Sequence, residues 1–371
     1  MSINLMKPLF YLFPSILILL ACTNPPDNEV RTVMPEETDE ISITIDTIRV
    51  NTPGTTREFP YYFPSLDFSG NTFAGLDERT GKINVFKLPE LELIDTIQLY
   101  QEGPNTIQKN MVGAIYYHNQ DSIFILQHIP KRLLLIDHDA VIQWQVDVTE
   151  AFKRDSLPDG LMPVGWFDRI GTYYENDKLY FAIRQEQAEQ DFLTPMIGYY
   201  DFRSDHIKTL DIHYPAFYTK NENVGTYGFP GIQFYENNFL ITYPYSTETF
   251  VYDQNINLLK TIQSPSRFEV GKAAEPAQGR RAHAMSNPYY YNVQPLKNGS
   301  YYVQLGREPL PEDPKSEIFN FTIIYNHDFT KYHVIDKNEA PISFGGEYFY
   351  YPIPQEETEY QSMERYKVEM E

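Results

Sequence analysis

The phrase Ile-Asp-Thr-Ile occurs twice in this chain, inside "ITIDTIRV" at residues 43–50 and inside "LIDTIQL" at residues 93–99, 49 positions apart. Both copies alternate apolar and polar residues, the period of a half-exposed strand. The second copy closes a series of strand-like runs, whereas the first has no such series before it. The difference is explained by a unit that recurs along the chain.

The unit begins with a tight-turn signal followed by a short aromatic or aliphatic run. It reads "GNTFAGL" (70–76), "QDSIFIL" (120–126), "NDKLYFAI" (176–183), "ENNFLITY" (236–243), "NGSYYVQL" (298–305) and "GGEYFYY" (345–351). Anchored at Phe73, Ile123, Leu179, Phe239, Tyr301 and Tyr348, the copies are 50, 56, 60, 62 and 47 residues apart. A further run such as "AIYYH" (114–118) precedes each turn, and Gly, Asn and Asp at the turn supply the positive φ of tight hairpins. A second phrase of strand, polar turn and strand follows at 85–97, 135–146, 199–210, 251–262 and 324–335. It lies 12 residues after the anchor in the first, second and fourth units, and 20 and 23 residues after it in the third and fifth. Each unit is therefore four antiparallel strands, with insertions in two copies.

Six near-equal four-stranded units predict an all-β, six-bladed β-propeller, with seven blades as the alternative if one unit is degenerate. A β-sandwich does not require such regularity. The last unit runs out of chain after its inner strands, with a third strand expected near Arg365–Met370. An open edge strand invites foreign pairing. Residues 41–50 are therefore expected to supply the outer strand of the sixth blade and close the ring.

The N-terminus carries Lys7, then an apolar run of about 13 residues from Leu9 to Ala21 that contains Pro14. The run is too short to span a bilayer as a helix and reads as a signal-peptide core. It ends in Leu19-Leu20-Ala21-Cys22, which resembles the lipobox of bacterial lipoproteins. Cys22 is the single cysteine of 371 residues. Its acylation would leave no thiol for disulfides, thiol catalysis or zinc binding. Residues 23–40 hold six acidic residues, three prolines and no aromatic, the composition of a solvated linker. The expected division is a signal peptide at 1–21, a flexible acidic linker at 22–40 after the lipidated cysteine, and a propeller at 41–371. Thr23 stands where an aspartate would mark inner-membrane retention, which favours lipid anchoring in the outer membrane, on its periplasmic side or at the cell surface.

The formal net charge is −21, and removing residues 1–21 takes one lysine with it and leaves −22. An acidic body is repelled by phosphate backbones, so nucleic acid is excluded as a partner. Hydrophobic residues at 42% and 30 tyrosines allow a sizeable core.

The lipobox, the closing strand soon after it, "EGPN" (102–105) after the first full blade and the Tyr-Asp-x-Asn turn of residues 252–255 together resemble the six-bladed propeller lipoproteins of Bacteroidota-type bacteria, specifically domain-of-unknown-function family 4221. The resemblance implies a propeller and an envelope location. It implies no activity and assigns no residue a role.

The search for chemistry is mostly negative. The chain has no nucleophile elbow, zincin motif, Walker loop or dinucleotide fingerprint. "DQNINL" (253–258) imitates the start of a calcium loop, but Leu258 replaces the required glycine and Ser264 the bidentate glutamate, so it reads as a hairpin turn. No histidine pair has metal-ligand spacing, and no cofactor is called for. The paired tyrosines at 116–117, 173–174, 289–291 and 348–351 read mainly as packing between blades.

In a four-stranded blade the turns between strands 1 and 2 and between strands 3 and 4 lie on one face of the disc. The turns between strands 2 and 3 and the links between blades lie on the other. Both insertions (186–196, 307–317) and all long links (100–112, 149–165, 213–228, 264–288) fall on that second face, where binding loops are expected. The 264–288 link carries a basic island, and Arg280, Arg281 and His283 are its candidate ligand-binding residues for an acidic group. The functional expectation is a non-catalytic binding or scaffold module that takes a protein or glycan ligand on this face. The alternative is an envelope hydrolase or lyase acting on glycan or peptide in the central channel.

Overall fold

The six anchors all fall in the second strand of a blade, and these strands are largely buried, with polar residues mostly at their ends. In Thr72–Asp77 and Ser122–Gln127 every residue after the first is buried. A second strand is covered on both faces by neighbouring blades, so it reads as a continuous apolar run rather than an alternating one. Outer strands have one wet edge and do alternate, as Glu92–Gln98 and Ile142–Asp147 show. This gradient from inner to outer strand is what made the repeat visible.

The computed structural model describes residues 30–51, 61–66, 71–158, 161–164, 172–185, 196–213, 230–235, 237–243, 246–266, 285, 287–296, 299–313, 318–337, 343–345, 347–353 and 360–370. They form six sheets in ring order. Blade 1 is Tyr61–Leu66, Thr72–Asp77, Lys82–Lys87 and Glu92–Gln98, and blade 2 is Val112–Asn119, Ser122–Gln127, Arg132–Ile136 and Ile142–Asp147. In blade 3 the first strand comes in two pieces, Leu161–Val164 and Tyr173–Glu175, both paired to Lys178–Gln185, followed by Ile197–Asp201 and His206–Leu210. Blade 4 is Gly231–Tyr235, Asn238–Thr242, Glu248–Asp253 and Leu258–Gln263, and blade 5 is Tyr289–Leu296, Tyr301–Arg307, Asn320–Asn326 and Lys331–Lys337. Blade 6 is Ser343–Gly345, Tyr348–Pro352 and Tyr360–Met370, completed by Ile41–Asn51. The protein is thus an all-β, six-bladed propeller.

The N-terminal strand closes the ring. Ile41–Asn51 pairs antiparallel with Tyr360–Met370 over its whole length, from Ile41 opposite Met370 to Asn51 opposite Tyr360. The repeated phrase therefore sits in outer strands of adjacent blades, with Ile45 and Ile94 both about half exposed. The aspartates differ in partner. Asp46 takes Arg365 Nε at 2.9 Å and Arg365 Nη2 at 2.5 Å, and this fork holds its carboxyl below the usual carboxylate range. Asp95 accepts only the N–H of the next residue, Thr96, at 2.8 Å. Arg365 also reaches the Pro89 carbonyl of blade 1 at 3.3 Å, so one side chain fastens the closing strand and spans the seam.

The expected linker needs correction. Residues 31–37 are strand: Arg31–Val33 lies parallel to the outer strand of blade 4, and Glu36–Glu37 lies parallel to the outer strand of blade 5. The chain skirts the rims of blades 4, 5 and 6 as a strap before entering blade 1, and the propeller unit begins at Arg31 rather than residue 41. Val33 is buried among Val251, Ile262 and Phe329, Thr38 N donates to Tyr332 O at 2.9 Å, and Lys331 pairs with Glu40. Acidic composition concealed this because a short parallel edge strand engages by its backbone, and Val33 is the sole residue of 31–40 that is fully covered.

The core lies between blades. Five apolar clusters straddle successive interfaces, the largest running from blade 2 through blade 3 to blade 4. Within it Tyr173 of blade 3 stacks on Phe234 of blade 4 at 4.3 Å and meets Tyr116 of blade 2 edge-on at 5.7 Å. Tyrosines 116, 117, 173, 350 and 351 are buried, so packing is their role.

The link from blade 2 to blade 3 holds a short helix, Val148–Arg154, capped by the Asp147 side chain, which accepts from Glu150 N. The residue after it, Asp155, has a side chain only 3% exposed. It accepts from Arg154 Nε at 2.9 Å, His206 Nδ1 at 2.5 Å and Ile207 N at 2.6 Å, which docks the helix on the outer strand of blade 3. Burial works against its charge, but these donors outweigh burial and hold the carboxyl well below the usual range. A depressed carboxylate adds stability above the unfolded-state value near pH 4, and that stability is lost as pH falls toward the folded-state value. Asp155→Asn is therefore expected to cost about 2 kcal/mol at pH 7 and to flatten the stability decline below pH 4. Urea unfolding from pH 2.5 to 7 checks this, and parallel acid slopes for both proteins would refute it.

Candidate functional site

The two faces of the disc are built differently. The face formed by first-to-second and third-to-fourth turns, here the tip face, consists of short self-satisfied turns. Asn176 and Asp177 both adopt positive φ (51° and 60°), as a two-residue hairpin requires. In the third-to-fourth turns Asp137 accepts from Asp139 N and Val141 N at 3.0 Å, and Asp201 accepts from Arg203 N at 3.0 Å. Asp253 accepts from Asn255 N and Asn257 N at 2.8 Å and from Asn257 Nδ2 at 2.9 Å. Both Asp253 oxygens are thus consumed by the turn, which removes the calcium-loop resemblance. Turns of this kind are rigid and offer little to a ligand.

The opposite, link face receives every long connection. The helix-bearing segment after blade 2, the long segments after blades 3 and 4, and the extensions after the second strands of blades 3 and 5 all emerge there. Near the axis this face is bordered by the last residues of the second strands, each opposite the start of a first strand. These are Asp77 opposite Tyr61, Gln127 opposite Val112, Thr242 opposite Gly231 and Arg307 opposite Tyr289. At Gly231 the blades 4 and 5 nearly touch, since an added Cβ would lie 2.7 Å from the Asn292 backbone. Only glycine allows that approach.

The polar residues of this border are mostly engaged. Asp77 accepts from Arg79 N at 3.0 Å and Thr80 N at 3.3 Å. Gln127 accepts from Arg132 Nη2 at 2.7 Å, and Thr242 bonds Thr249 through their hydroxyls at 3.0 Å. Arg307 differs. Its guanidinium lies over the Tyr289 ring, 5.2 Å from the centroid, and its Nε is buried without a hydrogen-bond partner. Tyr289 in turn packs against Tyr291 at 4.7 Å. Tyr289 and Tyr291 are two residues apart on one strand, beside a bulge between Tyr290 and Val293, so both rings project to the same side.

Other groups here bear on chemistry. Burial raises the Glu78 carboxyl in the second-to-third turn of blade 1. Burial, with neighbouring charge, pushes the Tyr180 hydroxyl up to about 12 and the Tyr173 hydroxyl higher still, so neither is a base at neutral pH. Among the described residues no group of three or more His, Cys, Asp or Glu could hold a metal ion.

Of the residues singled out from sequence, Cys22, Arg280, Arg281 and His283 lie outside the described residues. Arg307 was missed because it was read as the first residue of an insertion. It is the last residue of strand Tyr301–Arg307. Its signal was present as the one cation ending a buried second strand.

Comparison with known proteins follows this geometry. The domain described as "Domain of unknown function (DUF4221)" matches residues 33–294. The chain belongs to the DUF4221 family. A crystal structure of a DUF4221 member from Bacteroides vulgatus ATCC 8482 is similar at a TM-score of 0.71 with 15% identity, covering 90% of this chain and 100% of that one. A protein of Bacteroides fragilis NCTC 9343, named for its expected export, is similar at a TM-score of 0.57 with 11% identity, covering 92% and 99%. At these identities the likeness is one of fold. No curated protein matches the chain. The family's propeller is the architecture found here, and a shared fold by itself assigns no reaction.

Proposed function

We propose that this DUF4221 propeller is a binding module of the bacterial envelope, held in the outer membrane by an acylated Cys22 and presenting its link face to an envelope glycan or protein. The observation that carries this reading is the asymmetry of the faces. The tip face spends its carboxylates on its own turns, while the link face collects the long connections and keeps Arg307, which has no counter-ion among the described residues. Long loops on a rigid scaffold are where recognition concentrates.

The expected export of the Bacteroides fragilis relative supports the envelope location, as does the lipobox. Among the described residues no helix is long and apolar enough to cross a membrane. Because the strap starts at Arg31, the leash from Cys22 is residues 23–30 and reaches on the order of 30 Å when extended. That is half the reach expected when residues 23–40 were read as linker.

Photo-crosslinking in intact cells tests the reading. A crosslinker at Ile129 or Phe319, both exposed on the link face, is expected to give adducts, whereas Asp139 or Asn255 on the tip face gives none. Cys22→Ser should release the protein from the membrane fraction and abolish the adducts. Equal labelling of the two faces, or membrane retention of the serine variant, would sink it.

A further inference from the structure

Two cations share one row across blade 5. Tyr289, Arg307, Asn320 and Lys337 are directly opposite one another on successive strands; the row faces blade 6 at Lys337, while the Tyr289 ring also packs against the apolar cluster of blades 2 to 4. At the outer end of the row Lys337 is neutralised. It pairs with Glu364 of blade 6, donates to Tyr366 Oη at 3.2 Å and sits over the Tyr351 and Tyr366 rings. Toward the axis, Arg307 has the Tyr289 ring and, among the described residues, no acid.

A half-buried guanidinium without a carboxylate is costly to retain. The protein has 51 acidic residues against 30 basic ones, and blade 6 supplied an acid to the neighbouring lysine. Counter-ions were thus available, yet among the described residues Arg307 has no acidic partner and its Nε has no hydrogen bond, and it ends its strand on the link face. We propose that Arg307, with Tyr289 and Tyr291, forms a subsite for the carboxylate of a sugar acid. This deepens the binding reading above and rests on it. A guanidinium matches a carboxylate with two parallel N–H···O bonds, and the adjacent aromatic wall lowers the local dielectric and so strengthens the pair. The same rings suit the apolar C–H face of a pyranose, which favours a uronic acid over a peptide terminus.

The test is calorimetric titration of the detergent-solubilised mature protein with sodium D-glucuronate, methyl glucoside and N-acetylglycine. Glucuronate should bind, and the neutral glucoside and the ringless carboxylate should each bind at least tenfold more weakly. Arg307→Gln should weaken glucuronate at least tenfold, and Arg307→Lys should recover only part of the loss because a point charge lacks the fork. Raised salt should weaken the wild type toward the Gln variant. Thermal melting separates a binding role from a structural one. Arg307→Met removes an unpaired half-buried charge and should melt at the wild-type temperature or above it. A lower melting temperature for Arg307→Met would overturn the proposal. So would glucuronate affinity unchanged in Arg307→Gln, no glucuronate binding by the wild type, or tighter binding of N-acetylglycine than of glucuronate. Link-face adducts together with any of these results would leave the working face standing and remove only this subsite.

Discussion

A chain lacking residues 22–51 is expected to be unable to close its ring and to aggregate. Eleven residues of antiparallel pairing vanish with Ile41–Asn51, and the apolar residues they cover, Met363, Tyr366 and Val368 of the partner strand, meet water. The bared strand Tyr360–Met370 then presents a long edge with unpaired backbone groups, the usual template for foreign pairing. Ile41 and Val50, both buried, and the Asp46–Arg365 fork are lost as well. A graded series locates the effect. Deletion of residues 23–29 should leave stability unchanged. Deletion of 23–40, the span whose composition reads as a solvated linker, should instead cost about 2–3 kcal/mol, since it exposes Val33 and strips the parallel strands from blades 4 and 5. Thermal melts and size-exclusion profiles of the three proteins check this order. Equal melting of all three as monomers would mean that neither strap nor closing strand holds the ring.

Phe234→Ala is expected to be the most damaging single substitution among the described aromatic residues. Phe234 is 5% exposed and stands between blades, stacked on Tyr173 at 4.3 Å and near Tyr180 at 5.8 Å and Phe239 at 5.0 Å. Truncation removes a whole ring from a close-packed interface whose neighbours belong to two different sheets and cannot collapse together. A loss of about 3–5 kcal/mol follows, seen as a fall in melting temperature on the order of 10 °C. Phe234→Leu fills most of the volume and should cost less than half as much. Tyr173→Phe keeps the stack, and its effect should be small beside either. If Phe234→Ala melts within a degree of the wild type, the blades 3 and 4 are not held by this contact.

Much of the architecture was legible because it rests on local signals. Continuous apolar runs such as "SIFIL" marked second strands, and Asp or Asn at the turns marked the hairpins that Asp137, Asp201 and Asp253 stabilise with their own backbones. The twin Ile-Asp-Thr-Ile phrases marked two outer strands, since the same alternation suits the same half-exposed place. Three features escaped. The strap at 31–37 left no apolar pattern because a parallel edge strand needs little more than its backbone. The helix Val148–Arg154 is too short for its 3.6-residue period to stand out. The split first strand of blade 3 breaks the period-2 pattern on which strand recognition depends.

The candidate site was legible only as a face. Topology placed both insertions and every long link on one side of the disc, and topology followed from strand order alone. Its chemistry was a different matter. Which charges are neutralised depends on partners far apart in the chain: Asp46 on Arg365, 319 positions away, and Lys337 on Glu364 in the next blade. Hydrophobic period, turn residues and strand order are properties of neighbours along the chain, so the sequence by itself determined the blades, their number and the closure. Charge compensation is a property of neighbours in space. Only the tertiary structure could decide that Lys337 has an acid beside it and that Arg307, in the same row, has none among the described residues.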